Sequence, residues 1–150
     1  MNARLLKFLL LGLAAIAVGT AASRAASDAE ASYIRYDGLY RAHPGGGAQT
    51  LFLRFYPDGF VIVRSFMGSP KAAAEIMNKS HEALPNAHYV VTGDNFLFTT
   101  HSARGDIEYT GKRVGDLLVI HIHSKITEFV ADEPFGFVKV TFPDHDNDSK

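Results

Sequence analysis

Cysteine is absent from all 150 residues. That absence removes a disulfide framework, a cysteine-linked lipid anchor, thiolate catalysis and thiolate metal sites together. Tryptophan is absent as well. Acidic residues are missing from positions 1–25, which carry Arg4, Lys7 and Arg24. Removing these three from the fifteen basic residues leaves twelve against sixteen acidic, a net of −4 for the remainder. Such a balance lacks the basic footprint of a nucleic-acid partner and gives no attraction to anionic membrane. No His-Glu-x-x-His, dinucleotide fingerprint or Gly-x-Ser-x-Gly elbow occurs. The triplet Gly45-Gly46-Gly47 lacks the lysine and the helix of a phosphate loop. No catalytic residue and no cofactor is therefore assigned, and the chain reads as non-enzymatic.

What is present begins with an export signal. Arg4 and Lys7 form a charged start, and positions 8–18 (FLLLGLAAIAV) form an apolar run too short for a comfortable membrane span. Small residues follow up to Ala25, so residues 1–25 read as a signal peptide cleaved after Ala25. The expected location is periplasmic or secreted, with no membrane attachment after cleavage. Residues 26–32 read as a linker and 144–150 (DHDNDSK) as a disordered acidic tail. The folded domain is expected over 33–143.

That domain is organised around positions 51–65, LFLRFYPDGFVIVRS. Two β-rich runs flank Tyr56-Pro57-Asp58-Gly59. Pro suits the type I turn and Gly the left-handed position that follows it. The loop predicts a register in which Arg54 faces Ile62 and Phe52 faces Arg64. On the opposite face Phe55 meets Val61 and Leu53 meets Val63. The uniformly apolar face is assigned to the core. The other face carries Tyr56, Arg54 and Arg64 and is expected to be half-exposed, with arginine stems over aromatic surface.

Further strands are expected around Leu39-Tyr40-Arg41, over 88–92, 95–101, 107–113 and 117–124, and over 135–142, with 126–133 as a longer loop. The turn at Gly115-Asp116 pairs Val114 with Leu117 and hence Tyr109 with Ile122, Gly111 with Ile120 and Glu108 with His123. Ser69-Pro70 opens the one helix of this region, expected to run to about 80–83 and to dock on a sheet or cover a barrel mouth. The sum is a mainly β fold. We expect an antiparallel up-and-down barrel of about eight strands with one inserted helix, the alternative being a two-layer β-sandwich.

The order Asp37-Gly38-Leu39-Tyr40-Arg41, Leu53-Arg54-Phe55-Tyr56-Pro57-Asp58-Gly59, Tyr109-Thr110-Gly111 and Gly115-Asp116-Leu117-Leu118 resembles small exported bacterial proteins of lipocalin-like, calycin type. These are turn and core motifs, and they cover residues 37–142. Tyr40 stands where lipocalins carry a tryptophan. The resemblance implies a barrel with an apolar pocket.

The alternating inward residues motivate an apolar ligand site at Phe55, Val63, Phe98, Tyr109 and Ile120, with Gly111 leaving a share of the interior empty. Lys139 is added as an anchor for an anionic head. Alternation leaves open whether it faces inward with Phe135 and Phe137 or outward into water. Large rings filling the interior are the competing reading. His121 and His123 share a strand face with Glu108 opposite; the apolar residues of that strand lie on its other side, so the trio reads as a surface pairing and no metal is assigned. The expected function is that of an exported binding protein for a small apolar or amphipathic molecule. Its rival is a protein-interaction module, such as an inhibitor or accessory subunit of an envelope enzyme, acting through Tyr56, Arg54 and Arg64.

Overall fold

The computed structural model describes residues 33–81 and 83–143; the expected leader, linker and acidic tail lie outside them. Nine strands follow one another: β1 Gly38–Ala42, β2 Thr50–Phe55, β3 Phe60–Phe66, β4 Asn86–His88, β5 Val90–Thr92, β6 Asn95–Ser102, β7 Gly105–Val114, β8 Leu117–Ser124 and β9 Phe129–Lys139. Among the described residues one α-helix, α1 (Pro70–Ile76), falls between β3 and β4.

The central hairpin forms as its turn residues dictate. Gly59 takes φ +83°, and its N–H donates to the Tyr56 carbonyl at 3.1 Å. Tyr56 N–H meets the Phe60 carbonyl at 2.8 Å, and the Asp58 carboxylate accepts from Phe60 N–H at 3.3 Å. The register is the expected one, with Arg54 opposite Ile62 and Phe55 opposite Val61. The β7–β8 register also follows its turn, with Tyr109 opposite Ile122 and Glu108 opposite His123.

All pairings are antiparallel, and the sheet order is β4-β3-β2-β1-β9-β8-β7-β6-β5. The two terminal strands are consecutive in the chain, so the sheet curls until its ends meet in a nearly closed up-and-down barrel. Tyr89 is the joint. Its N–H donates to the Gly59 carbonyl at 2.8 Å and its hydroxyl to the Tyr56 carbonyl at 2.9 Å. The segment 86–92, expected to contain one strand from 88, thus pairs with β3 through its first half and with β6 through its second.

Alternation sorts the side chains into two cores. The inner one gathers Leu53, Phe55, Val61, Val63, Phe96, Phe98, Tyr109, Ile120 and Ile122, with Tyr40 and Phe135 among them. The outer one joins Leu39, Phe52, Tyr56 and Ile62, from the far side of β1–β3, to Ala73 and Ala74 of α1, to Met77 just after it and to Leu84. Helix α1 therefore lies against the outer wall and does not cover a mouth. Its start is as expected, Ser69 Oγ accepting from Ala72 N–H at 3.2 Å. It stops at Ile76, short of 80–83, because Met77 leaves helical geometry at ψ 75°.

The last strand also differs from expectation. It starts at Phe129 rather than 135, after a turn in which Glu128 has φ +56°, and it ends at Lys139. Pro134 sits within it opposite Val119. The proline is tolerated because β1 pairs only with the later residues from Gly136, so the strand has one neighbour at that level.

Candidate functional site

The middle of the barrel is filled. Phe55 meets Tyr40, Tyr89, Phe96 and Phe98 edge-on, at centroid distances of 5.7, 5.1, 5.6 and 6.2 Å. Phe98 stacks on Tyr109 at 4.5 Å. The share of space left by Gly111 is taken by Phe96: a β-carbon on Gly111 would lie 2.1 Å from the ring's Cζ. The expected ligand residues Phe55, Val63, Phe98, Tyr109 and Ile120 are all core residues, and of these Val63 and Tyr109 also line an opening.

Lys139 takes the outward of its two expected alternatives. It follows Phe135 and Phe137 in inward parity but lies at the barrel's end, 77% exposed, with its Nζ 3.8 Å from Asp37. It turns into water and anchors nothing inside.

On the Tyr56–Arg54–Arg64 face, Arg64 is half-exposed as expected, but the other two are not. Arg54 is only 4% exposed and Tyr56 only 9%. The Arg54 guanidinium donates to the Met77 carbonyl and lies 3.4 Å over the Phe142 ring and 4.6 Å from that of Tyr56. At Arg54 and Tyr56 the expected half-exposed face is closed by α1 and by the chain after β9. Alternation identified the face but not what covers it.

The histidines of β8 lie on the outside. His121 Nδ1 is 2.8 Å from Asp132 Oδ1, and His123 Nδ1 is 3.5 Å from Glu108 Oε2. Glu108 also holds Lys125, whose ammonium keeps that carboxyl below its ordinary range. Among the described residues no three His, Cys, Asp or Glu side chains converge as metal ligands.

Two openings flank the filled centre. At the end where β1 begins, a pocket of about 450 Å³ is bordered by Tyr33, Arg35, Tyr40, Arg113, Asp116 and Phe137. Its Arg35 is already forked onto Asp37 at 3.0 and 3.2 Å and stacked 3.8 Å over Phe137. The opposite end holds a cleft of about 360 Å³ with a mainly apolar lining.

That cleft follows from how the barrel closes. Strand β4 pairs only with Phe60, Val61 and Ile62, and β5 only with Asn95, Phe96 and Leu97. Above them, among the described residues, no strand lies between the continuing parts of β3 and β6. Leu51, Val63, Pro85, Ile107, Tyr109 and Ile126 line the gap, with Thr100, Arg64, His101 and Arg104. Burial pushes the Tyr109 phenol up to about 12, so its hydroxyl stays protonated beside Thr100. Arg64 Nε is buried without a hydrogen-bond partner.

Comparison with family models, with curated proteins and with solved structures finds no match to this chain. The cleft is therefore read from its own residues. Leu51, Pro85, Ile107, Ile126, His101 and Arg104 escaped the sequence reading. Pro85, directly before a strand, was the available signal, since it cannot donate to a ladder.

Proposed function

We propose that this chain is an exported, non-enzymatic binding protein that works through the cleft between β3 and β6, as an interaction module and not as a carrier with an interior cavity. The observation that carries this reading is an apolar cleft opening beside a ring-filled centre. Concave, mainly apolar surface with a few polar groups is where proteins bind partners and ligands. We read the barrel as lipocalin-like, on its up-and-down order and the one α-helix among the described residues, and its location as periplasmic or secreted, on the leader. A small amphipathic molecule is the second reading. The cleft volume of about 360 Å³ favours it, at the low end of ligand pockets.

The test is a titration of ¹⁵N-labelled protein with the amphipathic dye anilinonaphthalene sulfonate. Amide shifts should gather at Leu51, Val63, Thr100 and Ile107. Shifts gathered at Tyr33 and Phe137, or at Phe55 and Ile120, would overturn the choice of site.

A further inference from the structure

We infer that an extended peptide segment of a partner protein, apolar at alternate positions and carrying acidic residues, adds as a strand to the open edge of β3 in this cleft. The inference rests on the reading of the cleft as the binding site and names its occupant.

The hydrogen-bond phase of β3 supplies the first argument. Tyr56 N–H bonds to the Phe60 carbonyl at 2.8 Å, so Phe60, Ile62, Arg64 and Phe66 direct their backbone groups toward β2. The intervening residues direct theirs to the other side. Val61 meets Ala87 there, and Val63 N–H meets the Pro85 carbonyl at 2.9 Å. Proline has no N–H to return the second bond of that pair. The Val63 carbonyl and both backbone groups of Ser65 therefore face the gap with no strand beside them. Exposed edges of this kind are templates for a further strand, and proteins normally cover or blunt them. Here Ser65 is exposed.

Side chains give the second argument. A strand added beyond Pro85 shares the sheet's alternation, so every second residue points to the inner side, where Val63, Ile107 and Tyr109 lie. Apolar residues suit those positions.

Charge gives the third. Arg64 and Arg104 border the cleft, and among the described residues neither has an ion pair, whereas His101 is engaged by Asp106 at 2.8 Å. Among the described residues no Asp or Glu lines the cleft. Acidic side chains on the partner would meet two arginines, while the carboxylate of Asp106 at the rim is engaged by His101.

The experiment is selection of nine-residue random peptides displayed on phage against the full chain, followed by synthesis of the winners. Selected peptides should alternate apolar and polar residues and carry net negative charge. Single N-methylation should lower affinity about tenfold at every second residue and little at the residues between, because only alternate amides bond to an edge. Arg104→Glu should weaken the acidic peptides and strengthen lysine-substituted ones; Arg104 is exposed, so the fold is spared. Indifference to N-methylation, or selection of basic peptides, would overturn the inference. Dye shifts at the cleft with no peptide selected would refute strand addition while sparing the site. Neither dye shifts nor peptides at the cleft would refute both.

Discussion

Replacing Gly111 by alanine tests whether the barrel centre is packed or open. In a strand with free space above it, alanine is better than glycine by about 0.5–1 kcal/mol, because glycine loses more backbone freedom on folding. In this fold the added methyl would lie 2.1, 2.5 and 2.7 Å from three atoms of the Phe96 ring. That ring cannot swing aside cheaply. It is 1% exposed and hemmed by Phe55 at 5.6 Å and Phe98 at 6.4 Å. The expected result is overpacking, a loss of about 1–3 kcal/mol, opposite in sign to the open-cavity case. Phe96→Ala alone should cost about 3–5 kcal/mol. The double variant should cost no more than Phe96→Ala, since the methyl then fits the vacated space, giving a coupling of about 1–3 kcal/mol. Urea melts with matched slopes measure all three. Stabilisation by Gly111→Ala, or additive losses, would show that Phe96 does not cover Gly111 and would return an interior cavity to consideration.

Arg54→Met should destabilise by about 1.5–3 kcal/mol, the cost of removing a charged donor from a buried carbonyl; a change within 0.5 kcal/mol in urea melts would mean the residue is exposed. Gly59→Val should cost about 1–2 kcal/mol, since a β-branched residue resists the +83° φ of the turn, and a wild-type melt would refute the register argument. Burial raises the Tyr109 phenol from 10.0 to about 12, so stability is fully present below pH 10 and falls as pH rises toward 12, where unfolded phenols ionise first. Tyr109→Phe should remove part of that loss in alkaline melts followed at 295 nm, the buried phenols of Tyr33, Tyr40 and Tyr89 keeping the rest, and an unchanged pH profile would contradict the burial.

The hairpins were legible because their information is local. Pro57 and Gly59 fix one turn and Gly115-Asp116 another, and each turn sets the facing of every residue behind it. Leu53, Phe55, Val61 and Val63, faced by the first turn, and Tyr109, Ile120 and Ile122, paired by the second, all lie in the inner core. What lies outside a strand is not local. Arg54 alternates outward as expected, but its burial depends on Met77 and Phe142, far along the chain. Lys139 has inward parity and still lies in water, because parity does not say where a barrel ends. The start of β9 was hidden by Asp132-Glu133-Pro134, which reads as loop until the single-neighbour position of Pro134 is known.

The cleft belongs to the same class of non-local features, and its cause can be traced to two residues. A strand reaching unbroken from Asn86 to Thr92 could pair with β3 and β6 along its whole length and seal the wall. Tyr89 prevents this by turning its N–H to Gly59 and its hydroxyl to Tyr56, which hands the segment from one neighbour to the other half-way. Pro85 prevents any extension upward, since it offers a carbonyl to Val63 but no donor in return. Each residue shortens the closing strand from a different side, leaving three residues paired to each neighbour. The gap is therefore specified by the chain and is not a by-product of loose packing, because the core directly beneath it is ring-filled. A barrel that closes tightly at one level and stays open at the next presents both unbonded backbone and apolar side chains at a fixed place. Those are the two things an added strand requires.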